Sequence, residues 1–192
     1  MNEAFSGSEY RLRRQFLKLF GNVFRIYDAG GRLVIYSKQK AFKLKEDIRL
    51  YTDETMGREI LTITARQIID FSAAYDVVDP VEQVKVGALR RKGLKSILKD
   101  EWIILDAQDR EIGLIAEDHW ALALVRRFAT NLVPQTFAVT LAGQPAGSIR
   151  QAFNPFILSL FIDFKADTAN RLDRRLGLAA AVLLGSIEGR QD

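Results

Sequence analysis

Apolar and polar residues alternate along most of this chain in short runs, each ending in a turn-forming stretch. VFRIYD (23–28), IRLY (48–51), YDVV (75–78), WIIL (102–105) and FAVTL (137–141) are runs of this kind. Each is followed by DAGGR, DETMGRE, DPVEQ, DAQDRE or LAGQPAG, and then by a second run: LVIYS, ILTITA, VKVGALR, EIGLIAE or GSIRQ. Alternation with a period of two marks strands with one buried face. Asp and Gly suit the connections, because Asp bonds its own downstream backbone and Gly tolerates positive φ. The pattern predicts a series of antiparallel hairpins.

The hairpins repeat. RRQFLKLFGNVFRIYD (13–28) and KQKAFKLKEDIRLYTD (38–53) have equal length, open basic, carry Leu19 and Leu44 at the same place and close on Asp28 and Asp53. ARQIIDFSAAYDVVD (65–79) and RKGLKSILKDEWIILD (91–106) follow the same plan, and looser copies begin at 126 and 150. The starts lie 25, 27, 26, 35 and 24 residues apart. Six two-strand modules give about twelve strands, mostly antiparallel. The long interval has its own cause. Between Asp118, a suitable N-cap, and the stop at Pro134, residues Leu122, Val125, Phe128 and Leu132 fall at helical spacing. An amphipathic helix is expected near 118–132. Residues 11–20 fit either a helix or a strand by spacing, and the repeat favours a strand.

RRLGLAAAVLLGSIEGR (174–190) breaks the alternation. Its uncharged core, Leu176 to Ile187, is twelve residues, or roughly 18 Å of helix at about 1.5 Å per residue. A bilayer core needs around 20 apolar residues, so this helix is too short to span one. Leu176, Leu178, Val182, Leu183, Leu184 and Ile187 surround it instead of forming one stripe, and a helix apolar on all sides is buried on all sides. A sheet of about twelve strands closed into a barrel is wide enough to hold it. The expected architecture is mainly β: a closed antiparallel barrel of about twelve strands around a central hydrophobic C-terminal helix at about 171–188. Residues 1–9 are expected as a flexible N-terminal segment and 10–192 as a single domain.

Composition adds exclusions. Hydrophobic residues make up 48% and charged residues 27%, a globular balance. There is no cysteine, so disulfides, thiolate nucleophiles, zinc–thiolate sites and palmitoylation are ruled out. MNEAFSGSEY carries no basic-then-apolar leader and has Asn2 where myristoylation needs glycine. These features favour a cytoplasmic protein. The net charge of +4 is compatible with an anionic partner.

The stretch KLFGNVFRIYDAGGRLVIYSKQKAFKLKEDIRLYTD (18–53), followed by YDVVD (75–79) and VGALRRK (86–92), resembles the LURP-one-related proteins and their scramblase-like relatives of the tubby C-terminal-like superfamily. The likeness runs from Tyr10 to Gly189. It implies a twelve-stranded barrel around a C-terminal helix, and a role at phospholipid membranes, in membrane-tethered regulation or in defence. The scramblase-like relatives carry an acidic calcium-binding stretch before the helix. The corresponding Asp163, Asp167 and Asp173 here are separated by Lys165, Ala169 and Arg171, which do not supply alternating oxygen ligands. They read as turn and capping aspartates. The palmitoylated cysteines and proline-rich arm of those relatives are also missing, which sets scrambling activity aside.

The search for chemistry finds little. His119 is the single histidine, so no His-based metal cluster can form. GSIEG (185–189) has its serine second, not third as in a nucleophile elbow, and no phosphate-binding loop or HExxH is present. No catalytic residue, metal or cofactor is assigned. Basic residues are the suggestive feature: Arg11, Arg13, Arg14 and Lys18, then Lys38, Lys40, Lys43 and Lys45, then Arg90, Arg91, Lys92, Lys95 and Lys99. If the modules are in phase, these groups lie on neighbouring strands and form a band. Of these, Lys38, Lys40, Lys43, Lys45, Arg90, Arg91, Lys92 and Lys95 are the candidate contacts for anionic headgroups. The expectation is a non-enzymatic scaffold, peripheral at the membrane, that binds an anionic phospholipid surface or a protein partner through the barrel exterior. The alternatives are a nucleic-acid-associated module, for which no helix offers a reading face, and a carrier of a small hydrophobic ligand, which the central helix would obstruct.

Overall fold

The computed structural model describes residues 2–17, 21–39, 47–66, 74–92, 101–117, 135–152 and 157–187. The alternating runs form twelve strands: β1 (Glu9–Leu17), β2 (Gly21–Asp28), β3 (Leu33–Gln39), β4 (Ile48–Tyr51), β5 (Glu59–Ala65), β6 (Ala74–Asp79), β7 (Val84–Arg91), β8 (Glu101–Leu105), β9 (Glu111–Glu117), β10 (Thr136–Leu141), β11 (Gln144–Gln151) and β12 (Leu158–Asp163). Each pairs antiparallel with the next, and β12 returns to pair with β1, closing the barrel. Closure leaves no sheet edge open to another chain. The segment 11–17 is strand, as the repeat requires. The helix expected near 118–132, with His119, falls outside the described residues.

The repeat has a physical counterpart at one end of the barrel. The register shifts once per hairpin, at Ile26/Tyr27, Leu50/Tyr51, Val77/Val78, Ile104/Leu105 and Val139/Thr140. Bulges of this kind bend a strand and increase its twist, which suits a barrel rim. Just beyond them the aspartates do the work read from the sequence. Asp28 Oδ1 accepts the Arg32 N–H at 2.9 Å, Asp53 Oδ1 the Thr55 N–H at 2.8 Å, and Asp106 Oδ1 the N–H groups of Gln108 and Arg110, both at 2.9 Å. Asp79 Oδ1 accepts from Val81 and Glu82 at 2.9 and 3.0 Å.

The helix α1 (Arg174–Ile187) fills the interior. Every residue from Arg174 to Ser186 is buried, and Leu176, Leu178, Val182, Leu183 and Leu184 join one core with the inward face of the wall. The side chain of Ile187 falls outside the described residues. Gly177 is required by its position: a Cβ there would lie 2.4 Å from Cζ of Phe164. On β7, a Cβ at Gly87 would likewise lie 2.3 Å from the Leu105 carbonyl oxygen and 3.1 Å from Leu176, so the wall closes tightly on the helix.

Both helix ends are tied to the barrel. Asp173 caps the N-terminus, its Oδ1 accepting the Arg175 N–H at 2.9 Å. Asp167 accepts the N–H groups of Arg171 and Leu172 and, at 2.9 Å, the Arg174 guanidinium. At the far end Arg14 donates to the Gly185 carbonyl at 2.7 Å, placing a cation beside the C-terminal turn of α1, where the helix dipole favours one. Ahead of β1, Glu3–Phe5 forms a single 3-10 turn capped by Asn2, with Ala4 and Phe5 buried against the core.

Candidate functional site

Strand alternation sends Tyr10, Leu12 and Arg14 of β1 inward, and Arg11 and Arg13 outward. On β12, Leu160 and Ile162 point inward and Phe161 outward. The register places Arg11 opposite Tyr27 of β2 on one side and opposite Phe161 on the other, with Arg150 of β11 opposite Phe161 in turn. A single outer row therefore reads Tyr27, Arg11, Phe161, Arg150, alternating aromatic and guanidinium across four strands. The centre of the Arg11 guanidinium lies 5.1 Å from the Phe161 ring centroid and that of Arg150 lies 5.5 Å from it. Arg13, one step along β1, lies 5.6 Å from the Tyr27 ring. Cation–π contact at these distances holds a guanidinium without a counter-charge.

These side chains line an outer groove of about 680 Å³, together with Glu9, Asp28 and Asp163. Formal charges there are balanced, but their partners are not. Glu9 pairs with Lys165 at 2.6 Å, Asp28 with Arg32 at 3.1 Å, and Asp163 accepts the Lys165 N–H at 2.8 Å. The Arg32 N–H, aided by its guanidinium, holds the Asp28 carboxyl below the ordinary carboxylate range. Among the described residues, Arg11, Arg13 and Arg150 have no carboxylate at ion-pair distance. The Nε of Arg11 is buried without a hydrogen-bond partner, although burying an unpaired donor is costly. Phe161 keeps 37% of its surface exposed between them. The groove offers in-plane N–H donors, positive charge and an apolar contact, which suits it to binding an anionic group.

Of the basic residues singled out in the sequence, those among the described residues lie apart. Lys38 lies on β3 and Arg90 and Arg91 on β7, with β4, β5 and β6 between them. The modules repeat in phase, but each contributes two strands, so equivalent positions never become neighbours. Arg90 pairs with Glu111, Lys92 pairs with Glu101 at 2.9 Å, and Arg91 is half-buried. Lys40, Lys43, Lys45 and Lys95 fall outside the described residues. The run Arg11, Arg13, Arg14 is split by the wall: two face the groove and Arg14 caps the helix. Arg150 and Phe161 were missed, because their link to Arg11 depends on the first strand meeting the last. Asp163, Asp167 and Asp173 all accept backbone N–H groups, as turn and capping residues do.

Among the described residues, no group of three or more His, Asp or Glu side chains is placed to hold a metal ion, and no helix is long and apolar enough to cross a membrane. Comparison with known proteins found no matching family model, no matching curated protein and no matching solved structure. Fold and groove together define the class: a closed twelve-stranded antiparallel barrel wound on a buried helix, with an arginine–aromatic groove on its outer wall.

Proposed function

We propose that the protein is a non-enzymatic scaffold of the tubby-like, LURP-one-related and scramblase-like kind, acting peripherally at a membrane, and that its outer groove binds the anionic headgroups of a phospholipid surface. The observation that carries this reading is a set of three guanidinium groups without carboxylate partners, Arg11 and Arg150 held on the exposed Phe161 and Arg13 on Tyr27. An anionic headgroup supplies the missing counter-charge, and the aromatic edge suits the headgroup level of a bilayer. Arginine is matched to phosphate and carboxylate oxygens by its planar fork of donors. The central helix occupies the interior, which disfavours a carrier of hydrophobic ligands.

Co-sedimentation at low salt with phosphatidylserine–phosphatidylcholine vesicles and with pure phosphatidylcholine vesicles tests the reading. Binding is expected to the anionic vesicles and not to the neutral ones. A basic side chain near an anionic surface contributes about 1 kcal/mol, so Arg11→Gln, Arg13→Gln and Arg150→Gln together should weaken partitioning on the order of a hundredfold. Equal recovery with both vesicle types would sink the proposal.

A further inference from the structure

Resting on that reading, we infer that β12 is the strand that faces the bilayer, with Ile157 and Phe161 entering the interfacial region and the arginines on either side engaging the headgroups. Ile157, just before β12, and Phe161, on it, are 43% and 37% exposed. They stand four residues apart on one line of chain, about 13 Å at about 3.3 Å per residue. Arg11 and Arg13 on β1 flank this line on one side and Arg150 on β11 on the other. Apolar groups framed by cations match the cross-section of an anionic membrane surface, where apolar side chains sit below the headgroups and basic ones among them.

The remaining exposed apolar residues of the described chain argue for this face by contrast. Met56, Val81 and Val84 lie at the β4–β5 and β6–β7 turns. The strand β6 is six strands from β12 in either direction round the barrel, on the opposite wall. Beside Val81 and Val84, the carboxylates Asp79 and Glu82 pair with Arg175, which is buried and committed to them, and beside Met56 Glu54 pairs with Arg25. The β12 wall is where an exposed apolar ring stands between guanidiniums held on it by cation–π contact.

The absence of native cysteine makes the test direct. Ile157→Cys, Phe161→Cys and, as a control, Val81→Cys each carry one environment-sensitive fluorophore at an exposed position. With phosphatidylserine-containing vesicles, labels at 157 and 161 should shift to the blue and brighten at least twofold, while the label at 81 stays as in buffer. Ile157→Ala, which removes no ring from the arginines, should weaken vesicle partitioning several-fold and leave the urea midpoint unchanged. If the labelled proteins co-sediment with vesicles but 157 and 161 do not respond, or 81 responds equally, the orientation is wrong while surface binding stands. No co-sedimentation at all overturns both. Complete release by millimolar inorganic phosphate at constant ionic strength would also overturn the inference, identifying a soluble phosphate compound as the occupant.

Discussion

The Arg175 guanidinium, on the first turn of the buried helix, reaches Asp79 at the end of β6, with Nη1 2.8 Å from Oδ2. Both side chains are almost fully covered, at 10% and 5% exposure. Asp173 and Glu82 complete the arrangement at 2.7 and 2.9 Å. The same Asp79 holds the β6–β7 turn through its other oxygen. One carboxylate thus joins the wall to the helix, and removing a single partner strands the other charge. Arg175→Met should cost about 3–5 kcal/mol, the usual penalty for breaking a buried pair from one side. Urea denaturation at neutral pH would measure it. A loss below 1 kcal/mol would mean that Asp79 finds water or another cation instead.

Acid should unlock this end. Burial pushes the Asp79 carboxyl up, but the N–H groups of Glu82 and Val81 and the Arg175 guanidinium outweigh it and hold the group below its ordinary value. Asp167 follows the same pattern through the N–H groups of Leu172 and Arg171 and the Arg174 guanidinium. A carboxyl whose folded value is depressed stabilises the fold fully above its unfolded value, near 3.9, and loses that contribution as pH falls through the folded value. Stability should therefore be flat from neutral pH to about pH 5 and fall steeply below about pH 4. Asp79→Asn should lower the urea midpoint at pH 7 and shrink the difference between pH 7 and pH 3. An unchanged pH dependence would remove Asp79 from the acid response.

The hairpins, the twelve strands and the buried helix were legible because each rests on local chemistry. Alternation, an aspartate at four of the five hairpin turns and a helix uncharged from Leu176 to Ile187 are all visible within a dozen residues. The groove was not legible, because Arg11 meets Phe161 only when β1 pairs with β12, and that pairing is a property of closure. The inward Arg14 shows the same limit: it belongs to a basic run by composition, but alternation places it with Tyr10 and Leu12, beneath the last turn of α1. The pairing of the described basic residues was hidden for a related reason. Cross-strand carboxylates such as Glu111 and Glu101 neutralise Arg90 and Lys92, and only the register reveals them.

Gln83 closes the β6–β7 turn with φ of 55° and an exposed side chain. In this left-handed region a Cβ crowds the backbone, at a cost of about 1 kcal/mol for most residues and none for glycine. Glycine already occupies the corresponding place in the β2–β3 turn, where Gly31 has φ of 80°. Gln83→Gly should raise the melting temperature by a few degrees, the gain being limited by the greater freedom of glycine in the unfolded chain. A lower melting temperature would show that the Gln83 side chain contributes more than its conformation costs.

Phe164 is where the linker to the helix, the wall and the helix itself meet. Its ring sits beside Tyr10 with centroids 6.4 Å apart, under the Arg174 guanidinium at 5.0 Å, and against the bare backbone of Gly177. Gly177→Ala sets two effects against each other. Alanine favours the helix by about 1 kcal/mol, while its methyl group, 2.4 Å from the ring in this packing, must displace Phe164 at about 1–3 kcal/mol. The ring cannot move without disturbing Arg174 and its pairing with Asp167, so the steric cost should win and the variant should be less stable by about 1 kcal/mol. Gly177→Val, with a smaller gain in helix propensity and a larger side chain, should lose more. Shortening the obstacle supplies the decisive comparison: in a Phe164→Leu background the same Gly177→Ala change should be neutral or stabilising. A double-mutant cycle of urea midpoints measures that coupling, and strictly additive effects would show that the two residues do not compete for the same space.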